Sequence, residues 1–270
     1  MATFVPVERS DHPLAGDYVA LNDPAVRRSV ERTGGYFVVE GVVAIERLLD
    51  LDGWTIRSLL VLPAVADRLR PRLDARPEPL TVGIADPAVL RSIVGFDLHR
   101  GALASVQRRP PQPFELVAKG DLFLVAEGVN DHENLGALYR NAAAFGVDAV
   151  VLDPTCADPF YRRSVRVSSG NVLAVPTVDI GALPAGLQRL HAEGVTTVAL
   201  TPSADTDIRD LDPAALDGPI ALLVGAEGPG LTADTLAAAT RRVSIRMAPG
   251  VDSLNVATAA AIALHHLRRP

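Results

Sequence analysis

Three short polar stretches stand out in the second half of the chain, each at the point where an apolar run ends. The first is "NLGALYRNAAAFG", with Asn134, Gly136 and Arg140. Gly136 and Arg140 are four apart and so share a helix face. A glycine there admits a close approach to the backbone while the arginine reaches over it. The second is "LLVGAEGPGL", where Gly225, Gly228 and Gly230 surround Glu227. Glycines at this density allow positive φ and let a ligand meet the backbone directly. The third is "MAPGVDSLNVATAAAIALHHLRR", a polar start on an almost wholly aliphatic helix. Asp252 or Ser253 would cap that helix. Asn255 would then lie inside its first turn, where asparagine is a mediocre helix former. A helix start with free N–H groups also suits a polar ligand. Each stretch has a plain structural account as well: a cap, a packing residue, a solvated charge.

The pattern of the chain also indicates the elements that must carry these residues. "DLFLVAEGV", "VDAVVLD", "VLAVPTV", "VTTVALT", "PIALLVG" and "VSIRM" read as strands. Between them lie helical patterns: the first motif closed by Gly146, a helix around 159–168, "LPAGLQRLHAEG" closed by Gly194, and "TADTLAAATRR" capped by Thr232. Near-continuous aliphatic strands alternating with helices imply a parallel sheet covered on both faces. Ligands of such sheets bind outside the carboxyl ends of the strands. Upstream, "YFVVEGVVAIERLLDL", "IRSLLVLP", "VADRLRPRLDAR", "LTVGIAD" and "DPAVLRSIVG" alternate strand and helix in a smaller α/β domain, its last helix capped by Asp86. The proline-bearing stretch "VQRRPPQPFELVAKGD" reads as the connection. The expected division is a domain over 1–107, a linker over 108–120 and a second domain over 121–270.

Composition narrows the chemistry. The chain has 270 residues, 48% hydrophobic and 21% charged, with a net charge of −6, which is globular and gives no global pull toward nucleic acid. The single cysteine, Cys156, allows no internal disulfide and fits a reducing cytoplasm. Residues 1–20 are studded with charge, so no signal peptide is expected, and no apolar run is long enough to span a bilayer. No Cys/His cluster has metal-ligand spacing. His265 and His266 read as helix-end residues. Gly-Lys-Ser/Thr is absent, and the glycines do not match G-x-G-x-x-G, so phosphate-loop and dinucleotide chemistry are disfavoured. Basic candidates for a polyanion are Arg68, Arg70, Arg72 and Arg76 in the first domain, and Arg162, Arg163 and Arg166 in the second.

Taken in order, the three motifs resemble those of the SpoU (TrmH-like) RNA ribose methyltransferases of the SPOUT superfamily. "NLGALYRNAAAFG" is similar to the first family motif, "VGAEGPGL" to the second and "IRMAPGVDSLNVATAAAIAL" to the third, over about residues 121–268. "SVRVSSGN" resembles a further family stretch with a basic residue, here Arg166. "GGYFVVEGVVAIERLL", with Phe37, Glu40 and Gly41, resembles a ribosomal-protein-like substrate-binding domain. The chain departs from the usual pattern at Arg246, where proline is common, at Pro249, where glycine is common, and in "NDHE" before Asn134.

The resemblance implies an α/β catalytic domain with a deep C-terminal trefoil knot, behind a small α/β RNA-binding domain. It implies S-adenosylmethionine as methyl donor, a ribose 2′-hydroxyl of structured ribosomal or transfer RNA as acceptor (ribosomal favoured), a homodimer, and neither membrane nor metal. It places Arg140, Asn134, Glu227, Ser253 and Asn255 in catalysis, with Glu227 positioning Arg140. Leu200, Thr201, Gly225, Gly230, Ile245, Met247 and Leu254 would line the donor pocket, and Arg140, Arg162 and Arg166 would meet RNA. Arg140 is a general base in some descriptions of the family. Guanidinium chemistry favours a phosphate contact that fixes the ribose. A non-catalytic RNA- or cofactor-binding protein of the same fold is the alternative.

Overall fold

A computed structural model describes residues 2–19, 21, 35–96, 98 and 101–269. The chain divides into two units, Met1–Arg109 with Phe160–Leu173, and Pro110–Pro159 with Ala174–Pro270. The segment 160–173, read from the sequence as part of the C-terminal domain, thus belongs with the N-terminal unit.

In that first unit a five-stranded sheet has β1 (Ala2–Pro6), β4 (Leu80–Ile84) and β3 (Ile56–Val61) parallel, then β5 (Ala102–Gln107) antiparallel to both β3 and β2 (Tyr36–Glu40). β1 and β5 have no counterpart in the sequence reading. β5 takes up the first two residues of the stretch read as a connection, because Val106 and Gln107 pair with Phe37 and Tyr36. Helices α1 (Val42–Asp50), α2 (Pro63–Asp74) and α3 (Pro87–Val94) join the strands. Asp86 is the N-cap of α3 by position, yet its side chain makes no capping hydrogen bond.

What fastens 160–173 to this unit is specific. Phe160 packs against Phe37 and Trp54, with ring centroids 4.8 and 5.7 Å away. Trp54 Nε1 donates to the Leu173 carbonyl at 3.0 Å. A Cβ on Gly170 would stand 3.0 Å from Ala44 Cα, so only glycine lets these backbones touch. On α5 (Arg162–Val167), Arg162 and Arg166 reach the buried Glu40 carboxylate at 2.5 and 3.2 Å. "VLAVPTV" is not a strand along its whole length. Asn171–Leu173 is a 3-10 turn, and the strand β8 is confined to Thr177–Asp179 after Pro176.

The second unit is a six-stranded, wholly parallel sheet in the order β11 (Arg241–Val243), β9 (Thr196–Leu200), β10 (Ile220–Gly225), β6 (Leu122–Glu127), β7 (Ala149–Leu152), β8. β6 and β10 are buried along their whole length, as expected of central strands covered on both faces. Helices α4 (His132–Phe145), α6 (Leu187–Ala192), α7 (Ala233–Ala238) and α8 (Val256–Leu267) complete the unit. β11 stops at Val243, short of the expected "VSIRM", because its partner β9 ends at Leu200. From β6 the chain runs outward to β7 and β8, then returns on the far side to β9 and β10. The order therefore reverses between β6 and β10, and a crevice opens at their carboxyl ends.

Candidate functional site

The segments leaving β6 and β10 furnish the crevice. After β6, Asp131 caps α4, its carboxylate accepting from the Glu133 and Asn134 N–H groups at 2.8 Å each. The helix therefore starts ahead of Asn134, whose side chain is left for other work. Gly146 closes it in the left-handed region, as the sequence suggested. Along α4, Gly136 is buried and Arg140 exposed. After β10 the chain turns sharply on itself. A Cβ on Gly225 would collide with the Gly230 carbonyl carbon, so this loop closes only on a bare backbone. Gly228 and Gly230 both take positive φ.

Asn255 joins the two loops. Its Nδ2 donates to Asn134 Oδ1 at 2.7 Å and to Glu227 Oε1 at 3.1 Å. Its Oδ1 accepts from Ala257 N and Thr258 N at 3.0 and 3.2 Å. Asn255 is thus the N-cap of α8, which corrects the expectation that Asp252 or Ser253 holds that place. Both amide hydrogens and both acceptor sites of one side chain are used. No shorter polar residue could cap the helix and reach both loops. The aliphatic remainder of α8 buries Ala257, Ala260, Ala263, Leu264 and Leu267, and Asn141 Nδ2 on α4 grips the Ala257 carbonyl at 2.7 Å. Towards its far end, His266 Nε2 meets the Leu211 carbonyl at 2.7 Å, and Arg269 donates to the carbonyls of Pro213, Leu216 and Gly218.

Beside this junction lies a cavity of about 530 Å³. Leu200, Thr201, Gly225, Gly230, Ile245, Met247 and Leu254 all line it, as do Glu227, Ser253 and Asn255. Residues from strand-end loops far apart in sequence therefore share one wall. The sequence reading did not single out Ser203, Leu231 or Leu236, which line it too. Nor did it find Glu127 at the end of β6. That buried carboxylate accepts from Thr232 N, Thr232 Oγ1 and Thr235 Oγ1 at 2.9, 2.9 and 2.7 Å, fixing the start of α7 behind the cavity. A lone acid ending an apolar strand was the available signal.

Other expected residues do not line this cavity. Arg140 makes no hydrogen bond or ion pair with the described residues, and Glu227 pairs with Asn255 rather than with it. Arg162 and Arg166 are engaged with Glu40. In the first unit Arg68, Arg72 and Arg76 are paired with Glu46, Asp50 and Glu78, and Arg70 lies over the Phe4 ring. Burial pushes the Cys156 thiol upward, away from thiolate reactivity. Among the described residues no group of His, Cys, Asp and Glu is arranged to hold a metal ion, and no helix is long and apolar enough to cross a membrane.

Comparison with known proteins covers the same part of the chain. A family model described as the SpoU rRNA methylase family matches residues 121–265. An uncharacterised tRNA/rRNA methyltransferase of Mycobacterium bovis is 41% identical over 261 residues, 96% of this chain and 90% of that protein. The 23S rRNA (guanosine-2′-O-)-methyltransferase of Yersinia pestis is 31% identical over 240 residues, 86% of this chain and 96% of that one. Among solved structures, the AdoMet-bound rRNA methyltransferase of Sinorhizobium meliloti superposes with a TM-score of 0.80 at 26% identity, covering 98% of this chain and 97% of that one.

Proposed function

The chain belongs to the SpoU rRNA methylase family of the SPOUT superfamily, a family of RNA methyltransferases, and we propose that it transfers a methyl group from S-adenosylmethionine to a ribose 2′-hydroxyl of structured ribosomal RNA. The observation that carries this reading is the Asn255 junction. One amide brings the first and second motif loops together at the mouth of a cavity lined by the second and third.

The cavity suits the methyl donor. Its volume is in the range of small-molecule sites. Leu200, Leu231, Ile245 and Leu254 give apolar walls for a heterocycle, and the bare backbone at Gly225 and Gly230 gives amide groups at close range. Thr201, Ser203 and Ser253 add hydroxyls. The bound donor supplies a sulfonium methyl that is already electrophilic, so the protein's task is the nucleophile. A 2′-hydroxyl is weak at neutral pH and must be held in line and helped to lose its proton. Arg140 is exposed and has no partner among the described residues. A guanidinium is a donor and not a base. It can take the phosphate beside the target ribose in a two-pronged grip and stabilise charge growing on the 2′-oxygen. The proton leaves to solvent. Asn134 and Glu227, both held by Asn255, set the floor on which the ribose rests. The deep trefoil knot, the homodimer that completes the site, the ribosomal-protein-like nature of the N-terminal unit and a cytoplasmic setting belong to the same proposal. The 2′-O-methyltransferase name of the Yersinia pestis relative supports ribose over base as the acceptor.

The test combines calorimetry and product analysis. The purified protein should bind S-adenosylmethionine at micromolar concentration and leave NAD unbound. With labelled donor and total RNA it should place label in 2′-O-methylated nucleosides after digestion. Donor binding without transfer would favour a non-catalytic RNA- or cofactor-binding protein, and no donor binding would sink the proposal.

A further inference from the structure

Next to the cavity, two segments of the second unit lie side by side. Ser244 N donates to the Thr206 carbonyl and Ile208 N to the Ser244 carbonyl, both at 2.8 Å. Asp207 sits at this seam with its side chain only 4% exposed. It accepts three hydrogen bonds from Arg209, from the backbone N–H, Nε and Nη2, each at 3.0 Å. That set satisfies the carboxylate. The Arg209 contacts, with Arg246 adding its field, hold the Asp207 carboxyl far below the usual carboxylate range, so it stays charged.

Arg246 is a second cation on the same anion. Its Nε stands 3.6 Å from Asp207 Oδ2, beyond hydrogen-bond reach, and its side chain is 69% exposed, as is that of Arg209. It forms no hydrogen bond with the described residues. One carboxylate thus orients two guanidiniums and neutralises one. Arg242 is exposed on the same edge, and Asp210 is the other acid acting on Arg209. These five groups sum to +1 in a chain whose net charge is −6.

Position gives the pair its meaning. Ile245 and Met247 line the cavity, but Arg246 between them does not. Flanked by two lining residues and 69% exposed itself, Arg246 stands at the rim and faces out. An anion met there lies outside the donor pocket. We propose that Arg246 and Arg209, held by the Asp207 carboxylate, form a rim site for a backbone phosphate of the substrate RNA, with Asp207 as the positioning residue. This rests on the RNA-methylating reading above. Arg246 has all its donors free for phosphate, and Arg209 keeps Nη1. Such a contact fixes register without reading sequence.

The test is the salt dependence of binding to in-vitro-transcribed 23S ribosomal RNA, with S-adenosylmethionine affinity measured in parallel. Each phosphate contact adds about 0.7 to 0.9 to the slope of log affinity against log salt. Arg246→Ala should lower the slope by about that much and weaken RNA binding about fivefold at low salt. Arg246→Lys should restore the slope, and methyl-donor affinity should stay within about twofold in both variants. Asp207→Asn keeps both guanidinium charges but removes the anion that orients them, so KM for RNA should rise while kcat holds. An unchanged slope in Arg246→Ala would overturn the site. So would a loss of methyl-donor binding, since the arginine would then be bracing the cavity wall. If the unaltered protein bound no RNA at all, the functional proposal itself would fall, and its loss would be distinct from either result.

Discussion

Two glutamates at the ends of strands, one in each unit, are held in opposite ways. Glu40 closes β2, is 7% exposed and is gripped by two guanidiniums. Glu227 comes just after β10, is exposed and receives one amide hydrogen from Asn255. The first has its charge cancelled locally, and its arginines are spent on packing 160–173 into the unit. The second makes no ion pair with the described residues and faces a cavity. The same contrast runs through the arginines. Arg68, Arg72 and Arg76 have partners on their own unit, while Arg140 on α4 has none among the described residues. A charged group that folding has satisfied is structural; one left open is the better candidate for chemistry.

The largest effect expected from this contrast is at Arg140. Arg140→Ala should reduce methyl transfer to RNA about a thousandfold, the loss of one preorganised charge contact in a transition state, with S-adenosylmethionine affinity unchanged by calorimetry. Retained transfer would erase the distinction between open and satisfied arginines. Next is Glu40→Leu, which removes the carboxylate facing the largely buried Arg162 charge and should destabilise the first unit by about 3 kcal/mol. The chain's single tryptophan, Trp54, packs on Phe160 beside this cluster, so its fluorescence in a urea titration reads the change directly. An unmoved midpoint would mean that Arg162 and Arg166 are free for RNA after all. Asn255→Asp sharpens the other side. Aspartate caps a helix as well as asparagine does, so the thermal midpoint should move by only a few degrees. The junction, however, loses both donors and gains a charge beside Glu227, so transfer should fall about a hundredfold. Equal losses of stability and activity would make Asn255 a cap and nothing more. The smallest effect should come from Arg68→Ala, which removes an exposed pair with Glu46 and should cost at most about 0.5 kcal/mol, with the salt slope of RNA binding unchanged. A shallower slope would place the α2 face on the RNA.

Much of the fold was legible in the chain because it is written in local pattern. Apolar runs such as 122–126 and 220–224 became central parallel strands, since a strand buried on both faces needs apolar side chains along its length. Gly146 stopped α4 and Thr232 capped α7 for reasons that reach only a few residues along the chain. The polar positions of the three motifs, and half of the residues lining the cavity, could also be named beforehand.

Other features were decided only when distant segments met. Asn255 was misjudged because a cap is chosen by which side chain can also satisfy Asn134, 121 residues away. The placement of 160–173 with the first unit depended on Glu40, Phe37 and Trp54, and the Asp207 rim on a seam between 206–208 and Ser244. Sequence by itself determined which residues are apolar, which turns need glycine and which polar side chains stand at strand ends, because periodicity and backbone sterics are local. Tertiary structure decided which charges were cancelled and which were left open. A charge is satisfied by whatever lies within about 4 Å of it in space, and no local pattern records that distance.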